Sequence, residues 1–186
     1  MINQKPFFIG GDHSISYPLV KNFIESHENS GIIVLDAHPD LVPPTQNPTH
    51  EEWLAAIIKE TQIKPENILL IGARNIDPSE KGYQIKTIAI SELPNCSEKI
   101  KEFSHNKNIY LSIDIDFFDS SIAPATGYPE KNGSTKQQGL DLIKDIIQTK
   151  RVRAIDLVEV NPTKHEAEKT ICLARDIIKT FEEANW

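Results

Sequence analysis

Six short runs of apolar, largely β-branched residues recur along the chain, at Phe7 to Gly10, Ile32 to Asp36, Ile68 to Gly72, Thr87 to Ile90, Ile109 to Asp114 and Ala154 to Glu159. They carry little polar alternation, so they read as strands covered on both faces, the habit of parallel sheets. Between them, apolar positions recur at helical spacing, which predicts helices over Tyr17 to Glu28, Glu51 to Thr61, Ser97 to Ser104, Gly139 to Thr149 and His165 to Glu183. In the second of these, Trp53, Leu54, Ile57 and Ile58 share one side, with Thr49 placed as N-cap. Alternating β and α segments predict an open, doubly wound α/β fold with a mostly parallel sheet of about six strands and helices on both faces. Two irregular stretches, Pro43 to Pro48 and Ser120 to Lys136, are long enough to be functional loops. No repeat or low-complexity linker divides residues 1–186, which are expected to form one domain.

Composition narrows the chemistry. The 186 residues suffice for a core without disulfide or metal staples. Asp and Glu number 27 against 20 Lys and Arg, a formal charge of −7, which argues against nucleic-acid and anionic-membrane partners and leaves room for cations. Hydrophobic residues make up 39% and the mean hydropathy is −0.37, within the globular range. No apolar run approaches the roughly 18–20 residues of a membrane span. Met1 to Lys5 lacks the basic and apolar regions of a signal peptide. Cys96 and Cys172 match no zinc or redox spacing and read as buried or half-buried small hydrophobes. Together these features predict a reduced, cytoplasmic protein.

The unusual residues fall at strand ends. The first run closes in Gly10-Gly11-Asp12-His13-Ser14, the second in Asp36-Ala37-His38-Pro39-Asp40, the fifth in Asp114-Ile115-Asp116 and the sixth in Glu159-Val160-Asn161-Pro162. Carboxyl ends of strands are where open α/β sheets bind ligands. On an extended backbone, Asp114 and Asp116 project to one side, as do Asp36, His38 and Asp40. A lone Asp here would be a cap, and Asp12 fits that role for a helix beginning near Ile15. Three Asp/His clusters at three strand ends exceed what capping needs. Four carboxylates and two imidazoles at one rim repel one another unless cations intervene, and two divalent ions about 3.5–4 Å apart would balance them. The oxygen-rich set suits manganese, with iron, cobalt, nickel or zinc also open.

In this order, Gly-Gly-Asp-His13-Ser, Asp36-Ala-His38-Pro-Asp40, Ser112-Ile-Asp114-Ile-Asp116 and Glu159-Val-Asn-Pro resemble the motifs of the arginase and agmatinase ureohydrolase superfamily, over about Phe7 to Pro162. The resemblance implies an α/β sheet in the order 1-6-5-2-3-4 with a binuclear manganese site. His13 and Asp40 would hold one ion, His38 and Asp116 the other, and Asp36 and Asp114 both. A bridging water acidified by the pair would attack a guanidinium carbon, and the tetrahedral intermediate would collapse to urea and an amine. Asp40 would accept a hydrogen bond from that nucleophile, and Glu159 would pair with the planar guanidinium.

Further matches imply substrate contacts. The segment from Ile71 through Arg74 and Asn75 to Glu80 resembles the arginase stretch that holds the α-amino group, with Asp77 in direct contact and Glu80 supporting through water. The same Asp-Pro-Ser-Glu would also serve to begin a turn. His50 is the candidate general acid/base, although Glu51 stands where the family has glycine. Pro124-Ala-Thr126-Gly127 matches a loop near the metals and places Thr126 at the substrate. His27, His105 and His165 read as solvated, Trp53 as helix core or pocket wall, and Trp186 as tail or contact.

The departures bear on substrate. The first motif begins about nine residues into the chain, so the resemblance implies that the family's N-terminal elements are lacking and that the first strand is an edge requiring cover. After Asp40, Leu41, Val42 and two prolines replace the polar stretch that holds an arginine carboxylate, and Asp119-Ser120 replaces Asp-Pro. A more open site would admit a peptide-borne arginine side chain as well as arginine. Agmatine, guanidino acids and formiminoglutamate are alternative substrates, and a metal-binding but catalytically inactive interaction protein is the reading from another class. The expected partner is therefore a small guanidino compound or an arginine-containing peptide, with a homo-oligomer possible.

Overall fold

In the computed structural model, which describes residues 5–186, the six apolar runs form one all-parallel sheet. Its strands are β1 (Phe7–Ile9), β2 (Ser30–Leu35), β3 (Ile68–Ile71), β4 (Lys86–Ile88), β5 (Asn108–Asp114) and β6 (Val152–Val158). They lie in the order β1-β6-β5-β2-β3-β4, so the expected order holds. The helices are α1 (Ser16–Ser26), α2 (Trp53–Glu60), α3 (Ser97–Ser104), α4 (Lys136–Gln148) and α5 (Ala167–Glu183). Ends differ from the sequence expectation by up to three residues, because capping rather than apolar spacing sets them. Thr135, for example, accepts the Gln138 N–H and starts α4 three residues early.

Side-chain alternation splits the core into two layers. Ile33, Leu35, Leu69, Ile71, Leu111, Ile113, Ile155 and Leu157 face α3, α4 and α5. Ile32, Val34, Ile68, Leu70, Tyr110 and Ala154 face α1 and α2. Every residue of β2 and β3 is buried, which explains their unbroken apolar reading. At the edge, Phe7 of β1 packs against Phe181 and Trp186, making the C-terminal residue a contact, while Ile9 is 66% exposed.

Four local expectations are corrected. Thr49 does not cap α2; Glu52 takes the N-cap position, and its Oε2 accepts the Thr49 N–H. Cys172 is exposed, because it lies on the outer side of α5, whereas Cys96 is buried. His27 stacks on Phe23 with ring centroids 4.2 Å apart rather than standing in solvent. The metal motifs do not continue on extended backbone: β2 ends at Leu35 and β5 at Asp114, and turns carry the chain onward.

Candidate metal centre

Each turn uses its own first carboxylate. Asp36 Oδ1 accepts the His38 N–H at 2.7 Å, and Asp114 Oδ1 accepts the Asp116 N–H at 2.8 Å within a 3-10 turn over Ile115–Phe117. The turns fold His38 and Asp116 back beside the strand-end residues, the result expected from strand geometry but reached by another route. Asp116 Oδ1 also accepts the Ala37 N–H at 3.0 Å, tying the two turns together. Asp12 caps the 3-10 turn His13–Ile15 through the Ser14 N–H, whereas α1 itself begins at Ser16 without a side-chain cap, so the expected helix cap is corrected to a turn cap.

All six expected ligand residues converge. His13 Nδ1 lies 2.9 Å from Asp40 Oδ2, 3.1 Å from Asp36 Oδ2 and 3.2 Å from Asp114 Oδ2. His38 Nδ1 lies 2.9 Å from Asp116 Oδ2 and 3.7 Å from Asp36 Oδ1. Among the described residues, two groups can each hold a cation, His13-Asp36-Asp40 and Asp36-His38-Asp116, and they share Asp36.

The surroundings of His13 determine which nitrogen is offered. Its Nε2 is 2.9 Å from Ser112 Oγ, which in turn donates to Asp156 Oδ1 at 2.6 Å. The serine proton is thus committed, so Nε2 donates and Nδ1 faces the carboxylates. Asp156 Oδ2 accepts from Ser16 Oγ and Tyr110 OH, each at 2.7 Å, so this fully buried carboxylate has hydroxyl donors on both oxygens. His13 Nδ1 and Asp36 Oδ2 are buried and make no hydrogen bond. A neutral nitrogen turned toward three carboxylates is the arrangement a divalent cation completes, and the donor set fits.

Without cations, protons take their place. Burial, then the Asp40 and Asp116 charges, push Asp36 up to about 7. Burial also raises Asp114 well above the carboxylate range. Burial opposes charge on His38, yet hydrogen bonds to Asp116 and Asp36 raise it to about 11. His13 follows the same pattern: burial opposes its charge, and Asp114, Asp36 and Asp40 outweigh it.

A cavity of about 630 Å³ opens over the cluster. Glu159, at left-handed φ 64°, lines it and anchors Oε1 on the His13 N–H at 2.9 Å. Thr126 is fully buried at the wall, with Oγ1 unpartnered. His50 also lines the cavity, its Nε2 without a hydrogen bond and its ring stacked 5.9 Å from Tyr128. Asp77 and Glu80 reach the rim but are engaged in the turn there: Asp77 Oδ1 accepts from Ser79, and Glu80 accepts the Leu41 and Asp77 N–H groups. Glu80 therefore fastens the Asp40 loop to the rim.

Several residues make contacts at the site that the sequence reading did not assign to them. Trp53 Nε1 donates to Asp40 Oδ2 at 2.7 Å. Arg74 bonds the carbonyls of Gly72, Asp116, Glu130 and Lys131, holding the 120–136 loop to the metal turn. That loop brings Tyr128 to the cavity and Glu130 to within 3.5 Å of His38 Nε2. The available signal for Asp156 was a carboxylate inside an apolar strand, which demands buried partners.

Comparison with known proteins agrees with this geometry. The profile of the Arginase family matches residues 2–181. Rat arginase-2, mitochondrial (Rattus norvegicus), is 31% identical over 91% of this chain and 58% of its own length. The chain therefore spans little more than half of that relative. Native arginase from Bacillus caldovelox superposes with a TM-score of 0.87 at 27% identity, over 95% of this chain and 68% of that one. Formimidoylglutamase from Bacillus subtilis shares the fold, with a TM-score of 0.87 at 24% identity over 97% of this chain and 60% of its own. On its profile match, its motifs and its fold, the chain belongs to the Arginase family.

Proposed function

We propose that the chain is a binuclear manganese hydrolase that cleaves a guanidinium C–N bond and releases urea, acting on arginine or a peptide-borne arginine side chain. The observation that carries this reading is the pair of Asp/His groups sharing Asp36 beneath a cavity with Glu159 on its wall. His13, Asp40, His38 and Asp116 would each serve one ion, with Asp36 and Asp114 serving both. Bound there, two divalent ions supply the Lewis acidity that makes water a nucleophile near neutral pH.

The protein residues divide the remaining work. Glu159 keeps one oxygen on the His13 N–H and presents the other to a guanidinium N–H, fixing the reacting carbon over the cluster. Thr126 Oγ1, buried and unpartnered, offers a hydrogen bond to the same group. Asp40 receives the proton lost by water, and His50 Nε2 exchanges it with the departing amine. Asp77 at the rim keeps Oδ1 on Ser79 and leaves Oδ2 for an ammonium. Among the described residues no Lys or Arg lines the cavity, and Val42, Ile76 and Tyr128 supply apolar wall, an arrangement that favours a cationic head on an aliphatic stem.

The test is urea release by purified manganese-loaded protein from free arginine, arginine-containing peptides, agmatine and guanidino acids. Release from either of the first two supports the reading, and efficient release from free arginine alone removes its peptide form. Failure of every compound to react, with both ions bound, would overturn it.

A further inference from the structure

The first metal position has a neighbour that the sequence pattern reads only as helix core or pocket wall. Trp53 begins α2, and its side chain is fully buried. A buried indole N–H needs an acceptor, and this one has Asp40 Oδ2 at 2.7 Å, a short charge-assisted contact. The same ring leans on the His13 imidazole, with centroids 4.9 Å apart and planes at 37°. One side chain thus touches both ligands that belong to the His13-Asp36-Asp40 group alone, and among the described residues no hydrogen bond or ring pair joins it to His38 or Asp116.

Asp40 requires outside support. It sits at φ 54°, the left-handed region, in a loop without regular structure. An aspartate tolerates that conformation but is not held there by it. The first turn of α2 supplies the restraint: the Ala55 N–H reaches the Asp40 carbonyl at 3.3 Å, and the Trp53 N–H fixes the carboxylate. The geometry points to Trp53 as a positioning residue that orients Asp40 for the His13-Asp36-Asp40 metal position and sets the affinity of that position independently of the other. The inference rests on the metal reading above.

Trp53→Phe keeps an aromatic ring on His13 and removes the N–H. Manganese titrations of metal-free full-length protein, by calorimetry with electron paramagnetic resonance counting the free ion, compare it with wild type. Expected is a weakening of about 10–100-fold at one of two ions, the range for loss of a ligand's outer hydrogen bond, with the other within about threefold. Wild-type affinity for both ions in the variant overturns the role of Trp53 alone. Equal weakening of both assigns Trp53 to general folding and overturns it too. Should Trp53→Phe fail to fold, Trp186→Phe leaves Trp53 as the one tryptophan, and its emission should change with one of the two equivalents of manganese and not with the other. Unchanged emission overturns the proposal. Absence of any bound ion in wild-type protein would remove the metal reading itself.

Discussion

Six ionisable side chains crowd one largely buried space at the carboxyl ends of the strands. At pH 7 without metal, His38 carries a proton, because its bonds to Asp116 and Asp36 raise it to about 11. A cation at its Nδ1 must displace that proton, so manganese affinity should climb from pH 6 to 8.5. Calorimetry in buffers of different ionisation heat should register proton release, and a flat pH dependence would contradict the ligand assignment. For the metal-free fold the sign is opposite. Asp36 is raised from 3.8 to about 7, so its contribution to stability is full below its unfolded value and fades as pH rises through about 7. Asp114→Ala should abolish both metal binding and urea release, and surviving turnover would show that the site is wrongly assigned. Ser112→Ala removes the acceptor that holds His13 Nε2–H, and should weaken metal binding about 10–100-fold while leaving the fold intact by circular dichroism.

The elements are placed by a few close packings. In α4, Gly139 rests on Phe118, and a Cβ there would meet Phe118 Cε1 at 2.2 Å. Alanine would favour the helix by about 1 kcal/mol, yet overpacking against a fully buried ring costs about 1–3 kcal/mol. Gly139→Ala should therefore destabilise the protein in urea unfolding, against its helix propensity. Phe118 follows the third metal motif and its partner Gly139 lies in the first turn of α4, so this contact pins the two ends of the 120–136 loop together. At the other wall, α2 is joined to the site through Trp53 and Ala55, and Glu80 ties its rim to Leu41. The Asp40 loop is thus restrained from two elements that the chain reaches before and after β3.

Across the whole molecule, the charge of −7 gains a location. Asp36, Asp40, Asp114 and Asp116 are four of the negative charges, and two divalent ions would bring the formal sum to −7 + 4 = −3. An ion that binds only the folded state at 100 times its Kd stabilises by about 2.7 kcal/mol. At roughly 2–4 °C per kcal/mol for a chain of this size, manganese should raise Tm by about 5–11 °C, and a chelator should reverse it. A Tm indifferent to both would count against ions in the buried cluster.

Apolar runs and strand-end motifs by themselves determined the six parallel strands, the five helices and the six candidate ligand residues that the fold brings together. The reason is local: period, burial on both faces and residue chemistry are all written along the chain. Strand order came from the family resemblance rather than from pattern, since hydrophobicity does not say which run lies beside which. Tertiary structure alone decided how the ligands meet. Asp36 and Asp114 fold their own turns, so His38 and Asp116 return to the cluster by hydrogen bonding instead of strand alternation. It also decided that Trp53 belongs to Asp40, that Asp156 acts on His13 through Ser112, and that Glu80 is engaged with the Asp40 loop. These pairs lie 13 to 99 residues apart in sequence or are linked through an intermediate side chain, and only the packed fold brings such partners within hydrogen-bond reach.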